Sequence, residues 1–386
     1  MLNILYIGPN DSEWAQEHCP CSLAAAKWSR GFLTAVSRIS KLTVLTHTYY
    51  FPWPKGRLLW SKRDDRLYPR GWDCEVVEYP VFRHVRETWW RFGYATKAKK
   101  IIREKNIDVV LIYNCYESWQ VPVLRSIKAA FPNVRVIPII LDGDDPRKDN
   151  WGWMKRAAKY SDAFIALSWW IYQNIPANTG KPACHMDGGA EEWCGSDEWR
   201  PTDNRPVRLV HTGALDQWRG LDFMVEVVRK MSSPDVKFIF CGKSSCRILA
   251  KIFGDNPYVE LPGFVEEEEM NRICRNADIL LNVRDPLHPD NILNYPSKLP
   301  HYLSFGRPIV STRLDSLSPD YSEVVEFADG DTVDDYIERL REVLFWDEER
   351  RRTKFATIKK WFLARKQWDV LVGGMYEWMK GVVYGQ

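Results

Sequence analysis

The sequence predicts two doubly wound α/β domains, and three observations predict it. Near-continuous apolar runs such as 108–113 (DVVLIY) and 134–141 (VRVIPIIL) read as parallel strands buried on both faces. Amphipathic helical patterns separate these runs, as the crossovers of a parallel sheet require. The pattern stops in a polar, proline-bearing stretch at 195–206 (GSDEWRPTDNRP) and restarts at Val207, so a domain boundary falls there. The expected division of the 386-residue chain is 1–200 for a first domain, 201–365 for a second and 366–386 for a closing helix.

Taken in order, Asn3–Ile7 (NILYI) is a first strand that ends at Gly8-Pro9. A long loop follows, then a helix from about Ser22 with Ala24, Ala25, Trp28, Phe32, Leu33 and Val36 on one stripe. The next strand is 42–46. Ligands of doubly wound sheets sit at the carboxyl ends of strands, so the loop after Gly8 is expected to face a binding cleft. Within that loop His18-Cys19-Pro20-Cys21 lacks a fourth ligand at zinc-like spacing. The strand ends at 114–117 and 142–145 and at Ser168 are polar and make one rim of the expected cleft. The acid cluster Asp142, Asp144 and Asp145 reads as loop-turn chemistry, a divalent cation site, or a ligand contact through Asp142 or a neighbour.

Residues 49–94 are dense in aromatics and arginines, and Lys97, Lys99, Lys100, Arg103 and Lys105 follow. One reading is an insertion and a helix with a solvated basic face. The other is a patch for an acceptor or an anionic membrane surface. Trp89 and Trp90 are adjacent and would point about 100° apart on a helix, so at least one of them is expected to be exposed.

In the second half, 207–210 leads into a glycine loop, 213–222, and a helix at 223–231. Phe238–Phe240 with Gly242, 259–265 (VELPGFV) and the 279–283 strand continue the alternation, and Glu266–Glu269 reads as acidic capping of a first helical turn. Then comes 290–312, DNILNYPSKLPHYLSFGRPIVST: a loop, a short helix from near Ser297, a glycine stop at Gly306 and a buried strand. A loop feeding a helix N-terminus suits a phosphate, and Lys298 adds a charge. Helices are expected at 320–325 and 333–345, and one long helix at 354–379.

Composition bounds the function. Hydrophobic residues make up 45% and charged ones 27%, ordinary for a globular protein, and a net charge of +3 gives no reason to invoke nucleic acid. Nine irregularly spaced cysteines point to reduced thiols and a cytoplasmic protein. No apolar run reaches the roughly 20 residues of a membrane span, and residues 1–5 read as a strand, not a signal peptide.

The segment 295–312 resembles the donor-binding segment of nucleotide-sugar-dependent glycosyltransferases of the GT-B fold, especially retaining family 4, many of which read close to PSK-x-x-E-Y-x-x-x-G-x-P-V-V-x-T. Residues 213–222 resemble the family's G-R-L-x-x-x-K-G-x-D loop, with Arg219 at the lysine position and Ala214 at the arginine position. Lys298 or Arg284 is left to replace the lost cation. Residues 185–190 resemble the P-N-G-V-D segment, and 259–265 the V-x-F-x-G-x-V segment, where a nucleobase lies against Phe264 and Val265. Two family glutamates are absent: Leu293 and His301 stand in their places.

What the resemblance implies is two Rossmann-like domains facing a cleft, with the C-terminal helix crossing back to the first. It further implies sugar transfer from a nucleotide-diphosphate donor, by default a UDP-sugar, with retention and without a metal or other cofactor. Catalytic roles fall to Asp142, Arg219 and Lys298. Donor contacts fall to Gly8, Gly213, Arg219, Gly242, Phe264, Val265, Asn294, Ser297, Lys298 and His301. The acceptor is a glycan or lipid-linked hydroxyl, ahead of protein or modified DNA, with peripheral contact to an anionic membrane. The rivals are a sugar-nucleotide epimerase of the same fold and an inactive sugar-nucleotide-binding subunit.

Overall fold

A computed structural model describes every residue except 20–21, 48–49, 51–58, 70, 83–84, 143–150, 203–204, 216–218, 289 and 386, and the side chains of 243–245 and 290. The chain forms two compact units, Met1–Gly189 with Trp368–Gln386, and Ala190–Gln367.

The first unit is a sheet of seven parallel strands. They are β1 (Asn3–Ile7), β2 (Lys41–Thr46), β3 (Asp73–Val76), β4 (Val109–Tyr113), β5 (Arg135–Ile140), β6 (Phe164–Ala166) and β7 (Ala183–His185), ordered β3-β2-β1-β4-β5-β6-β7. The connecting helices are α1 (Glu13–His18), α2 (Leu23–Ile39), α3 (Arg86–Lys105), α4 (Gln120–Ala130), α5 (Trp151–Ala158) and α6 (Trp169–Thr179). Ser22 caps α2 by accepting from the Ala25 N–H, and Ser168 caps α6 in the same way.

The second unit holds six parallel strands: β8 (Val207–Thr212), β9 (Val236–Cys241), β10 (Val259–Gly263), β11 (Ile279–Asn282), β12 (Ile309–Ser311) and β13 (Glu326–Phe327), ordered β10-β9-β8-β11-β12-β13. Its helices are α7 (Leu221–Met231), α8 (Lys243–Phe253), α9 (Glu267–Arg275), α10 (Asp290–Leu293), α11 (Leu299–Leu303), α12 (Val333–Leu344) and α13 (Glu348–Arg365). The strand order reverses between β1 and β4 and again between β8 and β11. Loops diverge at these switch points and leave room for a ligand.

Three expectations change. The segment 354–379 is not one helix: α13 stops at Arg365, and α14 (Trp368–Tyr384) follows after a break. The Lys366 carbonyl accepts from the Ala190 N–H (2.9 Å), and the buried Lys366 ammonium lies over Tyr321 and Trp361. Residues 319–323 form a 3-10 turn, not an α-helix. The helix expected near Ser297 is the five-residue α11, with Lys298 at its cap position; this is too short for a full macrodipole, so the cation itself carries the charge argument. Of the adjacent tryptophans, Trp90 is buried and Trp89 is 43% exposed, as the helical angle requires.

Helix α14 belongs to the first unit and lies against α2. Trp368 meets Trp28 edge-on (5.8 Å, 86°), and a Cβ on Gly31 would run into the Trp368 indole. Arg38 Nη1 donates to both Asp369 carboxylate oxygens (2.8 and 2.6 Å), and the Leu2 N–H donates to Tyr376 Oη (2.9 Å). Trp368→Ala empties this wedge, and we expect a loss of about 3–5 kcal/mol in the first unit, read from urea unfolding. A loss under about 1 kcal/mol would show that α14 is not part of this core.

Candidate functional site

At the second switch point the ends of β8 and β11 bring together residues that are far apart in sequence. His211, next to last in β8, is fully buried, and its Nε2 lies 2.6 Å from Lys298 Nζ. Lys298 as a residue is half-buried, while its ammonium end is enclosed. Burial, then Arg284, then Arg219 hold its pKa well below the usual lysine value. Burial, then Lys298 and Arg284, hold His211 well below the usual histidine value, so its imidazole is neutral. Three cations therefore act on one spot, and among the described residues no carboxylate is ion-paired with Lys298.

The surroundings fix this cluster. Tyr302 Oη accepts from the Thr212 N–H (2.7 Å), lies 3.2 Å from Thr212 Oγ1, and so ties α11 to the end of β8. Arg284 Nη1 donates to Asn291 Oδ1 and to the Asn294 carbonyl, both at 3.3 Å, and its backbone N–H donates to Oγ1 of Thr312, the residue after β12, at 3.2 Å. Gly220, at φ 85°, passes so close to Arg284 that a Cβ would sit 3.1 Å from its Cα, so the loop carrying Arg219 abuts the loop carrying Arg284. Asn294 Oδ1 is buried without a hydrogen-bond partner among the described residues.

The other expected donor residues lie at the same sheet edge or further out. Gly213 (φ 90°) follows β8, and its N–H donates to the Cys241 carbonyl (2.8 Å). Gly242, the cap of α8, donates to the Gly263 carbonyl (2.8 Å), and Phe264 beyond it is 63% exposed. Val265 is half-buried and Ser297 exposed. His301 Nε2 lies 2.9 Å from Asn271 Oδ1, and its ring meets Phe305 edge-on; Leu293 is buried in the core.

The first unit has its own polar cluster. Gly8 must be glycine, because a Cβ would fall 2.5 Å from Tyr113 Cβ, where β1 and β4 part. Asp142 is exposed at the end of β5, and Asp144 and Asp145 lie outside the described residues. His18 stacks on Trp14 (4.1 Å) and bonds its carbonyl, and Pro20 and Cys21 lie outside the described residues. Asn114, in the strand end expected on the cleft rim, has φ 56° and a buried Nδ2 without a partner among the described residues. Sequence reasoning did not single out Asp11, a buried acid in the loop after β1 whose pKa burial pushes up to about 6. It also passed over His211. A histidine closing an otherwise apolar strand was the available signal.

Residues 206–344, within the second unit, match the family model described as glycosyl transferases group 1. No curated protein matches the chain by sequence. By structure the chain is similar to sucrose-phosphate synthase from Thermosynechococcus elongatus (TM-score 0.71, 10% identity, 100% of both chains covered). It is also similar to a glycosyltransferase from Rickettsia africae (0.68, 9%, 100% of this chain and 99% of that). A third similar structure is Anabaena HepE in complex with UDP (0.66, 10%, 99% and 100%). The fold is GT-B, and within the second unit residues 206–344 are similar to glycosyl transferases group 1.

Tyr302→Phe would leave the buried Thr212 N–H without its acceptor. We expect a loss of about 1–3 kcal/mol in the second unit by chemical denaturation. Unchanged stability would mean that α11 is not held to β8 through this hydroxyl.

Proposed function

We propose that the chain transfers a sugar from a nucleoside-diphosphate donor, held by the second unit, to a hydroxyl acceptor. The observation that carries this reading is the convergence of Lys298, Arg284 and Arg219 at the second switch point. Cleavage of the sugar–phosphate bond builds negative charge on the departing diphosphate. Positive groups fixed in a partly dry site stabilise that charge more in the transition state than in the ground state. On this reading side-chain cations meet the leaving group, Phe264 and Val265 lie beside the base, and UDP is the nucleotide, supported by the UDP complex of a similar structure. The resemblance of 295–312 supports retention. Asp142 and the buried Asp11 are the carboxylates of the first unit available to an acceptor hydroxyl. The acceptor is a glycan or a lipid-linked sugar.

Removing one charge-assisted phosphate contact costs about 1.5–3 kcal/mol, so Arg219→Ala, Arg284→Ala and Lys298→Met should each weaken UDP binding by roughly tenfold or more in calorimetric titration. Unchanged affinity in all three would remove the reading. Leu293 in the core and His301 held by Asn271 favour the second reading, a sugar-nucleotide-binding subunit without activity. That reading would hold if UDP-sugar bound but was neither hydrolysed nor transferred.

A lipid-linked acceptor fits an apolar patch on the first unit. Leu59, Trp60, Phe82, Val85, Trp89 and Phe92 are all exposed around the start of α3, and Trp60 and Trp89 meet edge-on at 5.1 Å. Patches of this kind mark partner or membrane surfaces. Three of the expected basic residues are engaged within the unit: Lys97 with Glu75, Lys100 with Glu104 and Lys105 with Asp73. The aromatic end of α3, flanked by Arg86 and Arg91, therefore carries the membrane reading better than the lysine end does. Flotation with anionic liposomes should recover the protein, and Trp89→Ser with Phe92→Ser should reduce that recovery several-fold. No flotation by the unaltered chain would turn the reading to a soluble acceptor.

A further inference from the structure

His211 and Lys298 form a pair that the proposed donor chemistry does not by itself explain. They lie 87 positions apart, meet at 2.6 Å, and sit where two arginines also act. His211 Nδ1 is buried without a partner among the described residues, so the bond to Lys298 is the imidazole's one hydrogen bond there. Among the described residues, the charges that act on the pair are the two arginines, and the rings packed against it are uncharged. Arg284 follows β11, and Arg219 precedes α7; the Tyr302 ring of α11 lies 6.0 Å from Nζ, and the Phe240 ring of β9 lies 5.9 Å from the imidazole. Behind Tyr302 stand the thiols of Cys241 and Cys274, whose pKa values burial raises to about 12, so both are neutral. The empty site therefore disfavours a third positive charge and holds the amine on a neutral acceptor.

We infer that His211 is the resting partner of the Lys298 amine, and that an entering nucleoside diphosphate draws the amine away as an ammonium, so that ligand binding takes up a proton. The inference rests on the donor reading above and adds a positioning residue to it. The balance is simple: the amine gains one proton from solvent, no other bond is made or broken, and the diphosphate supplies the counter-charge. His211 stays neutral throughout. The sign follows. The ligand raises the proton affinity of Lys298, so binding is tightest at low pH and weakens as pH rises from the resting pKa to the liganded one, by up to about tenfold per unit.

The test is calorimetric titration of the full chain with UDP, and in parallel GDP and ADP, at about pH 8 in buffers of different ionisation enthalpy. A terminal phosphate with a pKa of about 6 is already deprotonated there, so any uptake belongs to the protein. We expect roughly half to one proton taken up per diphosphate bound. Lys298→Arg, which stays charged, and Lys298→Met should both abolish the uptake and flatten the pH dependence. His211→Phe keeps a ring beside Phe240 but removes the acceptor, so its uptake should rise towards one proton. Binding without proton uptake by the unaltered chain, or uptake that persists in Lys298→Arg, would overturn the inference while leaving the donor reading intact. Uptake unchanged in His211→Phe would remove His211 as the partner. Failure of all three nucleotides to bind would remove the donor reading, and the inference with it.

Discussion

The second unit is organised around an amine buried, among the described residues, without a carboxylate to pair with it. Keeping it charged out of water would cost several kcal/mol unless something compensated. At Lys298 a neutral imidazole lies 2.6 Å away and the Tyr302 ring 6.0 Å away, while Arg284 and Arg219 disfavour the charged form. The arrangement persists because the backbone around it is tied down elsewhere. Tyr302 holds the end of β8, Thr312 holds the backbone of Arg284, and Gly220 lets the loop with Arg219 come within contact of that of Arg284. The mutual repulsion of these groups is local, and on the proposed reading a diphosphate would relieve it.

Strands inside the sheets were legible from the sequence because they are buried on both faces and read as unbroken apolar runs, as β4 and β5 do. Three of the four edge strands were not. β3, β7 and β13 have two to four residues and half-buried patterns, so they carry neither a continuous run nor a full alternation, unlike the fourth, β10. Lys298 was legible because it adds a charge to a loop feeding a helix N-terminus, and Arg219 through the resemblance of 213–222 to the family's glycine loop. His211 was not, since its meaning depends on a contact across 87 positions. The choice between Lys298 and Arg284 was open in the sequence, and the structure brings both to the same place. Trp89 and Trp90 could be separated from local geometry alone, because the angle between neighbours on a helix is fixed.

The break between α13 and α14 shows the opposite case. Nothing in Arg365-Lys366-Gln367-Trp368 stops a helix: there is no glycine, proline or capping serine. Tertiary contacts do it. The backbone of Ala190 takes the Lys366 carbonyl, and the Lys366 side chain lies inward over Tyr321 and Trp361, where a lysine gains cation–π contact at the cost of hydration. The chain changes unit at this junction, at Ala190 on one pass and at Gln367 on the other, and the two residues are bridged to each other. A junction closed by backbone pairing needs no sequence signal of its own.

The two absent glutamates fit the same electrostatic logic. Leu293 has joined the core, and His301 is spent on Asn271, so neither position offers a carboxylate to a sugar or ribose hydroxyl. On the proposed reading this weakens the grip on the sugar and removes negative charge that would otherwise lie near the departing diphosphate. With Ala214 at the family's arginine position, the positive charge on this reading rests on Arg219, Arg284 and Lys298. Affinity in such a site resides in the diphosphate, the part of the donor that becomes more negative as the bond breaks. Interactions that strengthen along the reaction raise the rate, and those that only hold the ground state do not. On the proposed reading, a donor site without those two carboxylates but with its cations keeps the interactions that strengthen as the sugar–phosphate bond breaks.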